Sequence, residues 1–223
     1  MQPLDSIEHD PGVPPALTVI WLHGLGADGH DFEPLVPELR LAVPVRFVFP
    51  HAPVRPVTIN GGLRMRAWYD ILGLHAGAPQ DAAGIRESAA LVGALVDAEI
   101  ARGTPSERLV LAGFSQGGAI ALHLGLREPR RLAGVLALST YLPLADTVAE
   151  ERSAANAGLE IMMAHGRDDP VIPLGAAEAS RDALRGLGYP VRWAVYAMGH
   201  AVCAEEVGDI RAWLETRAAA AAA

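Results

Sequence analysis

The chain has 223 residues, 51% of them hydrophobic and 20% charged, which suits one sizeable α/β core and excludes a disordered chain. A formal net charge of −8 argues against nucleic acid or an anionic membrane surface as a partner. The single cysteine, Cys203, rules out an intramolecular disulfide, and no Cys/His cluster offers a metal site.

Residues 1–16 (MQPLDSIEHDPGVPPA) are acidic and proline-rich, without the basic start and apolar core of a signal peptide. They read as an N-terminal extension. No apolar run approaches the ~20 residues of a membrane span. The expectation is a soluble cytoplasmic protein with no stable membrane insertion; homodimer formation is left open.

The runs 17–22 (LTVIWL), 45–49 (VRFVF), 109–113 (LVLAG), 134–138 (GVLAL), 159–164 (LEIMMA) and 191–196 (VRWAVY) read as strands. Several are apolar on both faces, as strands covered on both sides are. Helical spacing marks 84–102, where Ile85, Ala89, Val92, Val96 and Ile100 recur, and also 116–127, 175–187 and 204–217. The alternation predicts a single domain over 17–217: a mostly parallel sheet with helices on both faces. The alanine-rich end, 218–223, reads as a frayed helical tail. Between Pro50 and Ala83 the alternation fails. Pro and Gly mingle there with Trp68, Tyr69, Ile71, Leu72 and Leu74, so 54–83 is either a self-packed excursion or a lid or wall over a site.

Gly24-x-Gly26-x-x-Gly29 follows the first predicted strand and matches a dinucleotide fingerprint. That fingerprint needs an acid about 20 residues on, and the window VPVRFVFPHAP has none. The glycines need another explanation. Gly113-Phe114-Ser115-Gln116-Gly117 is G-x-S-x-G between a strand and a helix, the setting of a nucleophile elbow. Small residues two before and two after Ser115 let the chain turn and expose the hydroxyl. The Gln116 amide then stands at a helix start, ready for a developing negative charge, and HGLG at 23–26 offers the Leu25 amide as a second donor.

A serine nucleophile needs a base, and His200 lies between the last predicted strand and the last helix. His165 precedes the available acids, His123 lies within a helical pattern, and His23 reads as shaping the oxyanion loop. Asp168 and Asp169 both follow a predicted strand and complete the order Ser, Asp, His.

WLHGLGADGHDF, FPHAP, VTINGG, AWYDI, LAGFSQGGA, LALSTYLP, HGRDDPVIP and YAMGH together resemble the bacterial carboxylesterase and acyl-protein thioesterase family of α/β-hydrolases. The likeness runs from about Val19 to Leu214. It implies an α/β-hydrolase fold with Ser115 as nucleophile, Asp169 as triad acid and His200 as base. It also implies oxyanion amides from Leu25 and Gln116, and no cofactor or metal. There are two departures from the pattern. Ala201 stands where bacterial members often carry Glu, and Arg64 and Arg66 occupy a segment that is commonly neutral; the arginines are either solvated or meet an anionic substrate group.

The expected activity is hydrolysis of carboxylic esters with short to medium acyl chains through an acyl-enzyme, the substrate being a small-molecule ester or thioester. An acyl-protein thioesterase or a lysophospholipase would use the same triad. A catalytically inactive hydrolase-like binding protein is the rival from another class. Leu72, Leu74, Ile172 and Met198, with Trp68 on the long loop, are the candidate substrate-binding residues; Leu72 and Leu74 are expected to touch the acyl chain, and Trp68 with Asp70 to anchor the base of the loop.

Overall fold

The computed structural model describes residues 4–73 and 77–222. A seven-stranded sheet runs in the order β1 (Ser6–His9), β3 (Val45–Pro50), β2 (Leu17–Leu22), β6 (Leu109–Phe114), β7 (Gly134–Leu138), β8 (Ile161–Gly166) and β9 (Val191–Tyr196). All neighbours are parallel except β1, which pairs antiparallel with β3.

The two-residue period of a strand divides the core in two. Ile20 and Leu22, Leu109 and Leu111, Val135 and Ala137, and Ile161 and Met163 face α2 (Ala82–Ala101) and α3 (Gln116–Arg127). Leu17, Val19 and Trp21, with Val110, Leu136, Leu138 and Met162, face the other way. There they meet Leu39 of α1 (Leu35–Leu39) and Ile210, Trp213 and Leu214 of α6 (Ala204–Ala221). Leu184 of α5 (Leu174–Gly186) joins the first layer. A short α4 (Val148–Glu151) follows β7.

The expected boundaries need correction at both ends. The segment 1–16 contains β1, which extends the sheet. Arg46 of β3, buried, holds it there by binding Glu8 and, from α2, both oxygens of Glu99. A four-residue polar strand carries no apolar run, so only its partners reveal it. The tail helix continues to Ala221, and Ala218 is buried against the second layer. The run expected to start at 159 begins at Ile161 and extends to Gly166.

The long segment after β3 holds a hairpin, β4 (Val54–Val57) and β5 (Leu63–Arg66), turning through Asn60, Gly61 and Gly62. Gly61 and Gly62 have positive φ, which the turn needs and glycine supplies without strain.

Glu206, in the first turn of α6, is fully buried and neither carboxylate oxygen has a well-formed hydrogen bond. Burial pushes its pKa up to about 8, the Cys203 N–H opposing this and the Asp209 carboxylate adding to it. The unfolded chain releases this proton near pH 4.5 and the folded chain holds it to about 8, so the stability present at low pH is lost as pH rises through that window. Glu206→Gln is therefore expected to match the wild type near pH 4.5 and exceed it at pH 9 by on the order of 5 kcal/mol. Urea midpoints at the two pH values check this; an equal difference at both would show a carboxyl that is not desolvated.

Candidate active site

The chain order of the strands reverses between β2 and β6, which are neighbours in the sheet although β3 follows β2 and lies on its other side. Such a reversal leaves a crevice outside the carboxyl ends of the strands. The loop after β2 carries Leu25, and β6 ends at Phe114 beside Ser115, the strands being in register at Leu22 and Gly113. Asp169 follows β8 and His200 follows β9. All the sequence-predicted triad and oxyanion residues therefore converge on one edge.

Ser115 has φ 54° and ψ −121°, an unfavourable conformation for a side chain with a Cβ. Its surroundings hold it there. The Ser115 N–H donates to Leu138 O at 2.8 Å, and the Thr140 hydroxyl donates to Ser115 O at 2.7 Å. The motif glycines permit the turn by close approach: a Cβ on Gly113 would strike the backbone of Gly117, and one on Gly117 would strike the carbonyl of Leu22.

His200 Nε2 lies 2.9 Å from Ser115 Oγ, and its Nδ1 lies 2.7 Å from Asp169 Oδ2. Asp169 is buried, which acts to raise its pKa. The His200 hydrogen bond and the N–H groups of Ile172 and Val171, both on Oδ1, outweigh this and leave the pKa lowered. An ionised carboxylate only accepts, so the His200 proton sits on Nδ1. Nε2 is left as an acceptor for the Ser115 hydroxyl. Asp168, by contrast, is exposed, with its N–H on Met198 O.

His23 is buried, and burial is the main cause that pushes its pKa down to about 4. The Ala52 N–H donates to its Nε2, so the ring proton lies on Nδ1 and donates to Gly24 O at 2.7 Å. In a trans peptide the C=O and N–H point opposite ways. Turning Gly24 O toward His23 therefore turns the Leu25 N–H away from it. Among the described residues, neither the Leu25 nor the Gln116 N–H has an acceptor.

The candidate substrate residues do not all reach this crevice. Trp68 is 0% exposed, so it has no surface for a substrate; it is an anchor whose indole N–H donates to His23 O. Ile172 is buried too, and its backbone is what matters, its C=O accepting from His165 Nε2. Leu72 is 42% exposed and Met198 half-buried, so both retain free surface. Leu74 lies outside the described residues. Arg64 and Arg66 donate to Val54 O and Ala52 O respectively.

Sequence reasoning passed over Phe114, whose ring centroid is 4.7 Å from that of His200. It also missed the Gln116 side chain, which binds the backbone of Trp68 and Tyr69. His165 was set aside as a base, yet its Nε2 approaches Asp169 Oδ2 at 3.4 Å. Phe114 is one of the two variable positions of the motif, and nothing in its identity signals a place beside His200.

The sequence pattern of the phospholipase/carboxylesterase family matches residues 6–218. The chain belongs to that family. As a member of the phospholipase/carboxylesterase family it is a hydrolase with an α/β-hydrolase fold. It is 41% identical over 211 residues to acyl-protein thioesterase 1 of Neurospora crassa, covering 90% of this chain and 86% of that one. It is 39% identical over 208 residues to acyl-protein thioesterase 1 of Gibberella zeae, covering 88% of each. The crystal structure of Zea mays acyl-protein thioesterase 2 superposes with a TM-score of 0.86 at 30% identity, covering 96% of this chain and 99% of that one. These family members are fungal and plant proteins, which gives the bacterial restriction in the expected resemblance no support.

Proposed function

We propose that the protein hydrolyses acyl thioesters on proteins or peptides through a Ser115–His200–Asp169 triad. The hydrogen-bonded chain from Ser115 Oγ through His200 to Asp169 carries this reading. The relatives named acyl-protein thioesterase favour a thioester over the simple carboxylic ester expected from the sequence.

Ser115 Oγ attacks the acyl carbonyl while His200 Nε2 takes its proton. The oxygen, now negative, lies between the Leu25 and Gln116 amides. Collapse of this intermediate expels the thiolate, which takes the proton back from His200 and leaves as the thiol. Water, deprotonated by the same nitrogen, then attacks the Ser115 acyl ester; the acid departs and Ser115 recovers its proton. Asp169 keeps the Nδ1 proton in place throughout and stabilises the imidazolium.

The test compares an S-octanoyl-cysteine peptide with p-nitrophenyl octanoate and an octanoyl lysophospholipid, alongside a fluorophosphonate label. The thioester peptide is expected to give a kcat/KM at least about tenfold above the other two, since only it presents the matching leaving group and peptide. A labelled protein that leaves the thioester untouched while cleaving p-nitrophenyl octanoate would replace this reading with the carboxylesterase one. A folded protein that takes no label is a binding protein instead.

A further inference from the structure

Gln116 has two ends with separate partners. Its backbone N–H has no acceptor among the described residues, while its buried side chain reaches into the segment after the hairpin. There the Trp68 N–H donates to Gln116 Oε1 at 2.8 Å, and Gln116 Nε2 donates to Tyr69 O at 2.7 Å. Both polar groups of the amide are used, with good geometry and away from water.

The other oxyanion donor is tied to the same segment. The Trp68 indole N–H donates to His23 O at 2.9 Å, and the Gly26 N–H donates to Arg66 O, the last residue of β5, at 2.9 Å. Leu25 lies between these two attachments. Below them, the Ser88 hydroxyl of α2 donates to Trp68 O. Asp70 accepts from the Thr58 N–H and hydroxyl, closing the base of the hairpin. Beyond these ties the hairpin projects into solvent, with Leu63 63% and Val54 49% exposed.

The geometry points to a coupling device: the acyl chain lies against Met65 of the hairpin, which stands beside Gly26 of the oxyanion loop, and the Gln116 side chain and Trp68 join the hairpin and both oxyanion amides into one hydrogen-bonded body, so the seated chain sets the spacing of those amides. This rests on the triad reading above. Its consequence is kinetic. Binding energy from a non-reacting part of a substrate raises kcat only when it is realised in the transition state. A surface joined to the groups that meet the transition-state charge meets that condition; a detached apolar wall would lower KM alone. Gln116 and Trp68 are positioning residues in this scheme, in addition to the backbone role of Gln116.

Gln116→Met tests it, because methionine keeps the backbone N–H and the approximate length while removing both side-chain hydrogen bonds. Trp68→Phe keeps most of the packing and removes the bond to His23, which covers the case where Gln116→Met does not fold. Steady-state kcat and KM are measured for p-nitrophenyl acetate, butyrate, hexanoate and octanoate. In the wild type kcat is expected to rise by roughly tenfold from acetate to octanoate. In either folded variant that rise is expected to vanish, while KM still falls with chain length and the fluorophosphonate still labels Ser115 stoichiometrically. A merely structural role would depress all four esters alike. A wild-type kcat independent of chain length, or a rise retained in the folded variants, would overturn the coupling while leaving the triad reading intact. A wild type that takes no fluorophosphonate label would overturn the triad reading, and the coupling with it.

Discussion

Replacing Ser115 by alanine is expected to lower kcat by roughly 10⁶-fold, about what removal of a triad serine costs where the group acts as a unit. The reason is chemical rather than structural. Without the hydroxyl no acyl-enzyme forms, and His200 can only assist water from a position arranged for Ser115 Oγ. The fold has little cause to change, since the Ser115 N–H and C=O hold the elbow through Leu138 and Thr140, and alanine keeps both. Turnover of the thioester peptide, with unfolding by urea as the control, checks both halves. An active Ser115→Ala protein, or a fluorophosphonate adduct on another serine, would sink the proposed mechanism.

Asp169→Asn should cost on the order of 10⁴-fold in kcat, and the partners of the carboxylate say why. Oδ1 accepts two backbone N–H groups, from Val171 and Ile172, so an asparagine is forced to place its oxygen there. Its NH₂ then faces His200 Nδ1 and makes that nitrogen an acceptor. The ring proton moves to Nε2, which can no longer take the proton of Ser115. Asp168→Asn should change kcat by less than about threefold, because that side chain is exposed and a surface substitution of this kind perturbs little. The reverse ranking in kinetics would reassign the acid.

The parallel strands and long helices were legible because each is apolar in a pattern of its own. Strands buried on both faces leave unbroken runs such as LTVIWL, and the helices keep a 3.6-residue period. What stayed hidden depends on partners rather than on pattern. SIEH is a strand through its ladder with β3 and the Arg46 ion pairs. VRPV and LRMR mix proline and arginine with few apolar residues, so neither reads as a strand without the ladder between them. The meeting of Ser115 and His200 could be read from motifs and chain order. The choice between Asp168 and Asp169 could not be made from the residues alone, because adjacent acids differ only in which way the turn after β8 points them. Trp68 is an anchor, as one of its two readings had it, and lines no substrate surface, because an aromatic in a loop looks the same in sequence whether it faces a ligand or the core.

The four strands whose ends meet at the crevice, β2, β6, β8 and β9, are drawn from nearly the whole length of the chain, and the last of them is the far edge of the sheet. On the proposed mechanism, a growing polypeptide therefore carries its nucleophile long before it carries its base. Until Val191–Tyr196 pairs with β8 and delivers His200, Ser115 is an ordinary alcohol at a strained turn. A chain truncated before Val191 lacks both the last strand and His200, so on the proposed mechanism it has no base for Ser115 and is silent as a hydrolase.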